Sequence, residues 1–250
     1  MTAEKRSLRL RLNLWLLSLT EGWLRVALVV IGLYATLPFA APTLMKLGLT
    51  GPANLLYTLY SPMCHQFAFR SLFLYGEQPF YPREIAYTDY TSYEAFTQNL
   101  PDVAKPASAS DFSLDFVMSA RAFTGNETMG YKTTLCARDV AIYLALFAGG
   151  IIYAFSRHRL RPVPLWLYIF AGMMPIALDG FSQLLSYPPF NLWPVRETAP
   201  FFRVATGAMF GLMNAWLAFP YIEAAMRDTA DQIREKLDAA GIPYPRSPRA

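Results

Sequence analysis

The feature that most constrains this chain is a set of apolar runs long enough to cross a lipid bilayer. A hydrocarbon core about 30 Å thick needs about 20 mainly apolar helical residues. The first run spans Trp23 to Leu47, with Pro38 and Pro42 placed to bend its outer third. The second, Val140 to Ser156, extends backwards to Leu135 and is followed at once by Arg157, His158, Arg159 and Arg161. The third, Val163 to Ser186, carries Pro175, Asp179 and Gln183, and the fourth, Phe201 to Met226, carries Arg203, Asn214 and Glu223. Composition agrees: 16% charged residues fall short of the roughly 25% of a soluble globular chain. A mean hydropathy of +0.23 with 15% aromatics excludes intrinsic disorder. The expected fold class is an all-α membrane protein of about four transmembrane helices, and its first partner is the bilayer.

The Lys/Arg distribution orients the spans, because basic loops are retained in the cytoplasm. Lys5, Arg6, Arg9 and Arg11 precede the first run; Arg157, Arg159 and Arg161 precede the third; Arg227, Arg234, Lys236, Arg246 and Arg249 follow the fourth. Four spans put all three groups on one side, with both termini cytoplasmic in a prokaryotic inner membrane. Residues 77 to 131 then face outward, and they hold eight acids against three bases. The segment from Pro52 to Tyr75 could add a fifth crossing, but Pro62, His65, Gln66 and Arg70 favour a re-entrant or interfacial helix. The expected organisation is a basic cytoplasmic segment (1–22), a first transmembrane helix with the outer re-entrant segment (23–76), an extracytoplasmic insertion (77–134), transmembrane helices two to four (135–226) and a cytoplasmic tail (227–250). Within the insertion, residues 101–111 read as a low-complexity linker.

Four segments bring polar side chains to one membrane level. Cys64 and His65 lie in the outer segment, and Cys136, Arg138 and Asp139 stand just before the second span. Asp179 and Gln183 are one helical turn apart, with Arg203 towards the outer end of the neighbouring helix. Ionisable residues inside a bilayer are costly, so Asp179 and Arg203 are expected to face the bundle interior and each other. The cysteines admit three readings: a disulfide that closes the insertion, a metal site from Cys64 or His65 with Cys136 and Asp139, or a reactive dithiol. Zinc accepts such mixed sulfur, nitrogen and oxygen donors. Gly207 and Gly211 give a small-xxx-small spacing suited to close helix packing. No GxSxG, HExxH, Walker A or dinucleotide glycine pattern is present, and no basic stripe interleaved with aromatics supports a nucleic-acid partner.

The blocks CHQFAFRSLFLYG (64–76), CARDVAIYLALFAGG (136–150), PIALDGFSQLL (175–185) and RVATGAMFGL (203–212) together resemble a family of small prokaryotic membrane proteins, the domain of unknown function 2085. The resemblance implies a multi-helix bundle with a shared outer site and leaves the reaction open. Family members often have a shorter connection between the first two blocks, and some carry Cys where this chain has Asp139.

The expected function is a multi-pass membrane protein with an outward-facing site. Cys64, His65, Cys136 and Asp139 would hold a metal such as zinc. Arg70, Arg138, Gln183 and Arg203 would line a pocket for an anionic or polar group, with Asp179 as a base if the site is catalytic. The alternative is an accessory or assembly subunit of a larger membrane complex, with Cys64 and Cys136 as a structural disulfide.

Overall fold

The computed structural model describes residues 3–108, 110–156 and 160–244, with side chains from Leu8 onward. Arg157, His158 and Arg159 of the expected basic stop, and Arg246 and Arg249 of the tail, lie outside the described residues, as do the side chains of Lys5 and Arg6.

Helix α1 (Ala3–Lys46) runs unbroken for 44 residues. The basic leader and the first apolar run, read from the sequence as separate, are thus one rod about 66 Å long at 1.5 Å per residue. Helix α2 (Thr50–Tyr60) packs back on it through Ala53 and Tyr57 against Ala41. The chain then leaves helical geometry: a turn at Ser61–Met63, a left-handed Gln66 (φ 56°) and strand β1 (Ser71–Leu74) follow. The residues from Pro52 to Tyr75 are therefore not a continuous spanning helix, because Pro62 cannot continue α2.

The insertion holds short helices α3 (Tyr93–Thr97) and α4 (Leu114–Ala122), then strands β2 (Gly125–Asn126) and β3 (Gly130–Cys136). The three strands form one antiparallel sheet in the order β1-β3-β2, with Ser71 opposite Cys136 and Phe73 opposite Lys132. The chain is mostly helical, as expected, but this small sheet departs from an all-α fold. Strand β3 is buried on both faces over most of its length, so it lacks the alternation that marks a half-exposed strand. Around this sheet Phe69, Phe73, Tyr81, Tyr93, Phe116 and Met129 build an aromatic core. Val103 is buried in that core and Ala104 N donates to Ser119 Oγ at 2.9 Å, so the stretch read as a linker is fastened down at these two residues.

Helix α5 (Ala137–Ser156) leaves β3 without a loop. The next helical stretch begins as α6 (Leu165–Leu167), widens into a π-helical segment at Tyr168–Met173 and continues as α7 (Met174–Leu184). Pro175 offers no N–H to the turn before it, which is where the helix widens. Helix α8 (Pro200–Ala239) is 40 residues long.

Among the described residues, three helical segments are long and apolar enough to cross a membrane: Leu8–Lys46, Ala137–Ser156 and Leu165–Leu184. The first half of α8, expected as a fourth span, is not among them; Arg203, Asn214 and Glu223 dilute its apolar character. It nevertheless lies along α5. A Cβ at Gly207 would fall 2.6 Å from Arg138 O, one at Gly211 would fall 2.2 Å from Ile142 O, and one at Gly149 would fall 2.5 Å from Ala215 Cβ. Trp23 and Leu24 of α1 pack with Tyr153 of α5 and Phe219 of α8, and Trp23 Nε1 donates to Glu223 Oε2 at 2.8 Å. Beyond that level α1 and α8 continue as a pair, joined by Leu17, Ala230, Ile233 and Leu237 and by Arg234 Nη2 to Glu21 Oε1 at 2.7 Å.

Candidate functional site

A cavity of about 490 Å³ opens at the end of the bundle where α5 and α8 begin and α7 ends. Its walls include Cys64, His65, Cys136 and Asp139 together with Arg70, Arg138, Gln183 and Arg203. Asp179, expected to join them as a base, is not part of the lining. Its carboxylate is tied to the Arg138 and Arg196 guanidinium groups and accepts from Thr198 Oγ1 at 2.7 Å.

The cysteines meet because β3 feeds α5 directly, which sets Cys136 at the helix start opposite the turn carrying Cys64. One ligand atom each from Cys64, Cys136 and Asp139 lie within 4.8 Å of one another. Cys136 Sγ donates to Asp139 Oδ2 at 3.1 Å, and both thiols are free. Cys64 Sγ accepts two backbone N–H groups, from Cys136 at 3.2 Å and Gln66 at 3.4 Å. The left-handed Gln66 makes this turn possible, and its side chain locks it by donating to Tyr57 O at 2.8 Å and Thr134 O at 3.0 Å. Two thiols this close do not ionise together: the hydrogen bond from Cys64 draws Cys136 below the usual thiol range, and that bond and burial push Cys64 up. His65 stands apart from this group. It is exposed, with its ring 5.4 Å from that of Phe67.

Below the cysteine turn Lys132 is fully buried and donates from Nζ to Gln66 O at 2.7 Å and Arg121 O at 2.6 Å. Burial holds its ammonium down at about 7.

The second half of the site is an arginine network around Glu197. Arg70 grips this carboxylate with two hydrogen bonds of 2.9 Å, and Arg203 approaches its Oε1 from the other side. Tyr187 Oη donates to Glu197 Oε2 at 2.5 Å and accepts from Arg70 Nη2 at 2.8 Å. Arg203 Nη2 also donates to Gln183 Oε1 at 2.9 Å. Burial, the largest single influence on Glu197, opposes its charge, yet Arg70 and Arg203 outweigh it and hold the carboxyl at about 2. The expected Asp179–Arg203 pair is therefore corrected: Arg203 is taken by Glu197, and Asp179 by Arg138 and Arg196, because the loop between α7 and α8 brings a carboxylate to Arg203 and a guanidinium to Asp179.

Residues 120–217 match the family described as a predicted membrane protein, DUF2085. The matched segment takes in Cys136, Arg138, Asp139, Asp179, Gln183 and Arg203, whereas the Cys64-His65-Gln66 block lies before it. The uncharacterized protein MJ1492 of Methanocaldococcus jannaschii is similar, 30% identical over 93 residues that cover 36% of this chain and 54% of that protein. The chain thus spans about half the length of this curated relative. No solved structure matches.

Glu197, Tyr187, Arg196 and Thr198 were not singled out by sequence reasoning although they too fall within the DUF2085 match. They sit in the loop between α7 and α8, where no helical or strand period assigns a face. A signal was present in Glu197 itself, an acid three residues before a helix whose first turn carries an arginine.

Proposed function

We propose that this chain is a multi-pass membrane protein whose end-of-bundle pocket holds one divalent metal ion on Cys64, Cys136 and Asp139. The observation that carries this reading is the convergence of the three ligand atoms within 4.8 Å, with Cys64 Sγ already facing two backbone donors. Two sulfurs and a carboxylate are a donor set suited to zinc, with a fourth position left for water, a ligand or a rearranged His65. The proton that Cys136 shares with Asp139 would leave on binding. Arg70, Arg138, Gln183 and Arg203 would bind a polar or anionic group beside the metal, and Asp179 would hold Arg138 and Arg196 in place rather than act as a base.

Elemental analysis of the chain purified in mild detergent, with a thiol count before and after reduction, tests this. The expected result is close to one metal per chain, lost on Cys136→Ser. A metal-free protein with a quantitative Cys64–Cys136 disulfide would instead favour the accessory-subunit reading, which the nearness of the two sulfurs also supports.

The topology proposed has four spans, the fourth being the first half of α8, with both termini cytoplasmic in a prokaryotic inner membrane and the residue 77–134 cap outside. The close approach of Gly207 and Gly211 to the α5 backbone supports it: two helices so packed share one environment. The acidic balance of residues 77–131 and the basic N-terminal segment support the orientation. Tyr87→Cys should react with a membrane-impermeant maleimide on intact cells, and Ala240→Cys only after permeabilisation; the reverse pattern would invert the topology.

A further inference from the structure

We infer that the pocket receives the phosphate head of an anionic amphiphile, whose apolar chain leaves past Leu184 and Met63 into the bilayer. This rests on the membrane-spanning reading above and deepens it by naming the ligand class; it does not require the metal.

Three observations lead there. The first is charge. Arg70, Arg138 and Arg203 line the cavity, while the carboxylates that hold them, Glu197 and Asp179, are not among the lining residues. Asp139 is the one acid in the wall, and it is turned to the Cys136 thiol. The second is an unspent donor. Arg138 gives Nη2 to Asp179, yet its Nε is buried without a hydrogen-bond partner among the described residues. A buried guanidinium N–H left unpaired is costly, and an oxyanion in the adjoining cavity would satisfy it with a charge-assisted bond. Phosphate suits this position because a guanidinium presents several donors in a fixed fork, and a cavity of about 490 Å³ has room for a headgroup.

The third is the composition of the rim. Leu184 and Met63 line the cavity and are also 51% and 66% exposed. Leu184 ends the Leu165–Leu184 segment, in whose apolar window only 6% of the residues are buried inside the protein, so the segment keeps an exposed apolar side for lipid. The cavity wall is therefore the end of a lipid-facing helix. A small soluble anion would use the arginines and leave this apolar rim wet; an amphiphile uses both. Gly180, also in the wall, keeps that side open: a Cβ there would meet only Arg138 Nη1, at 3.5 Å.

The test is binding to the full chain in detergent micelles, read by native mass spectrometry and calorimetry, with dioctanoyl phosphatidic acid, dioctanoyl phosphatidylcholine and inorganic phosphate as probes. The expected result is phosphatidate binding about tenfold or more tighter than either of the others. Gly180→Val, which fills the cavity without backbone collision, should weaken phosphatidate by a similar factor while metal content and melting temperature hold. Leu184→Glu, an exposed rim position, should weaken it as well and serves if the valine variant folds poorly. Equal binding of phosphatidate and phosphatidylcholine would reduce the effect to micelle partition and overturn the inference. Inorganic phosphate binding as tightly as phosphatidate would overturn the amphiphile and leave a free anion. Phosphatidate binding that neither variant changes would place the lipid elsewhere. Metal content is read separately: a metal-free chain that binds phosphatidate in this pocket refutes the metal alone, and a metal-loaded chain that binds no probe refutes this inference alone.

Discussion

Glu197 is the residue on which the arginine half of the site depends. It is a buried carboxylate between the buried guanidinium of Arg203 and the partly buried one of Arg70, and removing the middle charge leaves both cations facing each other. Breaking such a buried pair typically costs about 3–5 kcal/mol, so Glu197→Gln should lower the melting temperature sharply and release Arg70 and Arg203 from their present positions. The pH dependence has a definite sign. The folded carboxyl is held at about 2, below its ordinary value of 4.5, so its contribution is complete above about pH 4.5 and drains away as pH falls through 2. Wild-type stability measured between pH 5 and pH 2 should fall more steeply than that of Glu197→Gln. At this scale the sequence was informative where an unusual side chain sat in a readable context. Cys64, Cys136, Asp139, Arg70, Arg138 and Arg203 stood out against apolar helices, and they do share one cavity. Which partner each would choose was not readable. Asp179 and Arg203 looked paired when only helix faces were considered, and the loop that brings Glu197 and Arg196 between them carries no periodicity from which a direction could be drawn.

Among the elements, α5 and α8 form the tightest pair because small residues let their backbones meet. Gly211 is the closest point, where any side chain would drive into Ile142 O. Gly211→Val should cost about 1–3 kcal/mol by overpacking, measurable as a drop in melting temperature in detergent, and should also shift Arg138 and Arg203 at the pocket end of the same two helices. The conservative Gly211→Ala should show the same direction with a smaller effect. Helices were the legible part of this fold: long apolar runs announce themselves, and the spacing of Gly207 and Gly211 marked an interface, though not its partner. The strands were hidden for a physical reason. Strand β1 alternates in burial over only four residues and reads SLFL, β2 has two residues, and β3 is covered on both sides, so none carries an alternation of polar and apolar residues long enough to be recognised. The join between the basic leader and the first span was missed because the leucines of residues 8–19 alternate more than they form one stripe. In the folded chain Leu10, Leu14 and Leu17 nonetheless make the stripe that meets α8.

For the whole molecule, the aromatic cap and the helical bundle are one unit over the pocket. Phe112 of the cap stacks on Tyr187 at 4.2 Å, Arg121 Nη2 reaches Ser61 Oγ at 2.6 Å, and Lys132 ties the cysteine turn to the end of α4. Phe112→Ala should cost about 1 kcal/mol of stacking and leave global stability little changed, while amide exchange in residues 186–199 rises, since Tyr187 loses its cover. Protection unchanged in that loop would show that the cap does not hold it. The sequence marked residues 77–134 as a separate kind of chain but gave no sign of this attachment, which is made by single long-range contacts rather than by any pattern. At the opposite end, α1 and α8 run on as a bare pair. Helix α8 joins the two regions without interruption, with Arg203 in its first turn and Ile233 in its last third. One helix about 60 Å long thus carries both the far pair and the guanidinium that grips Glu197. The molecule has the proportions of a key, with its bit inside the pocket and its bow at the far end of α8.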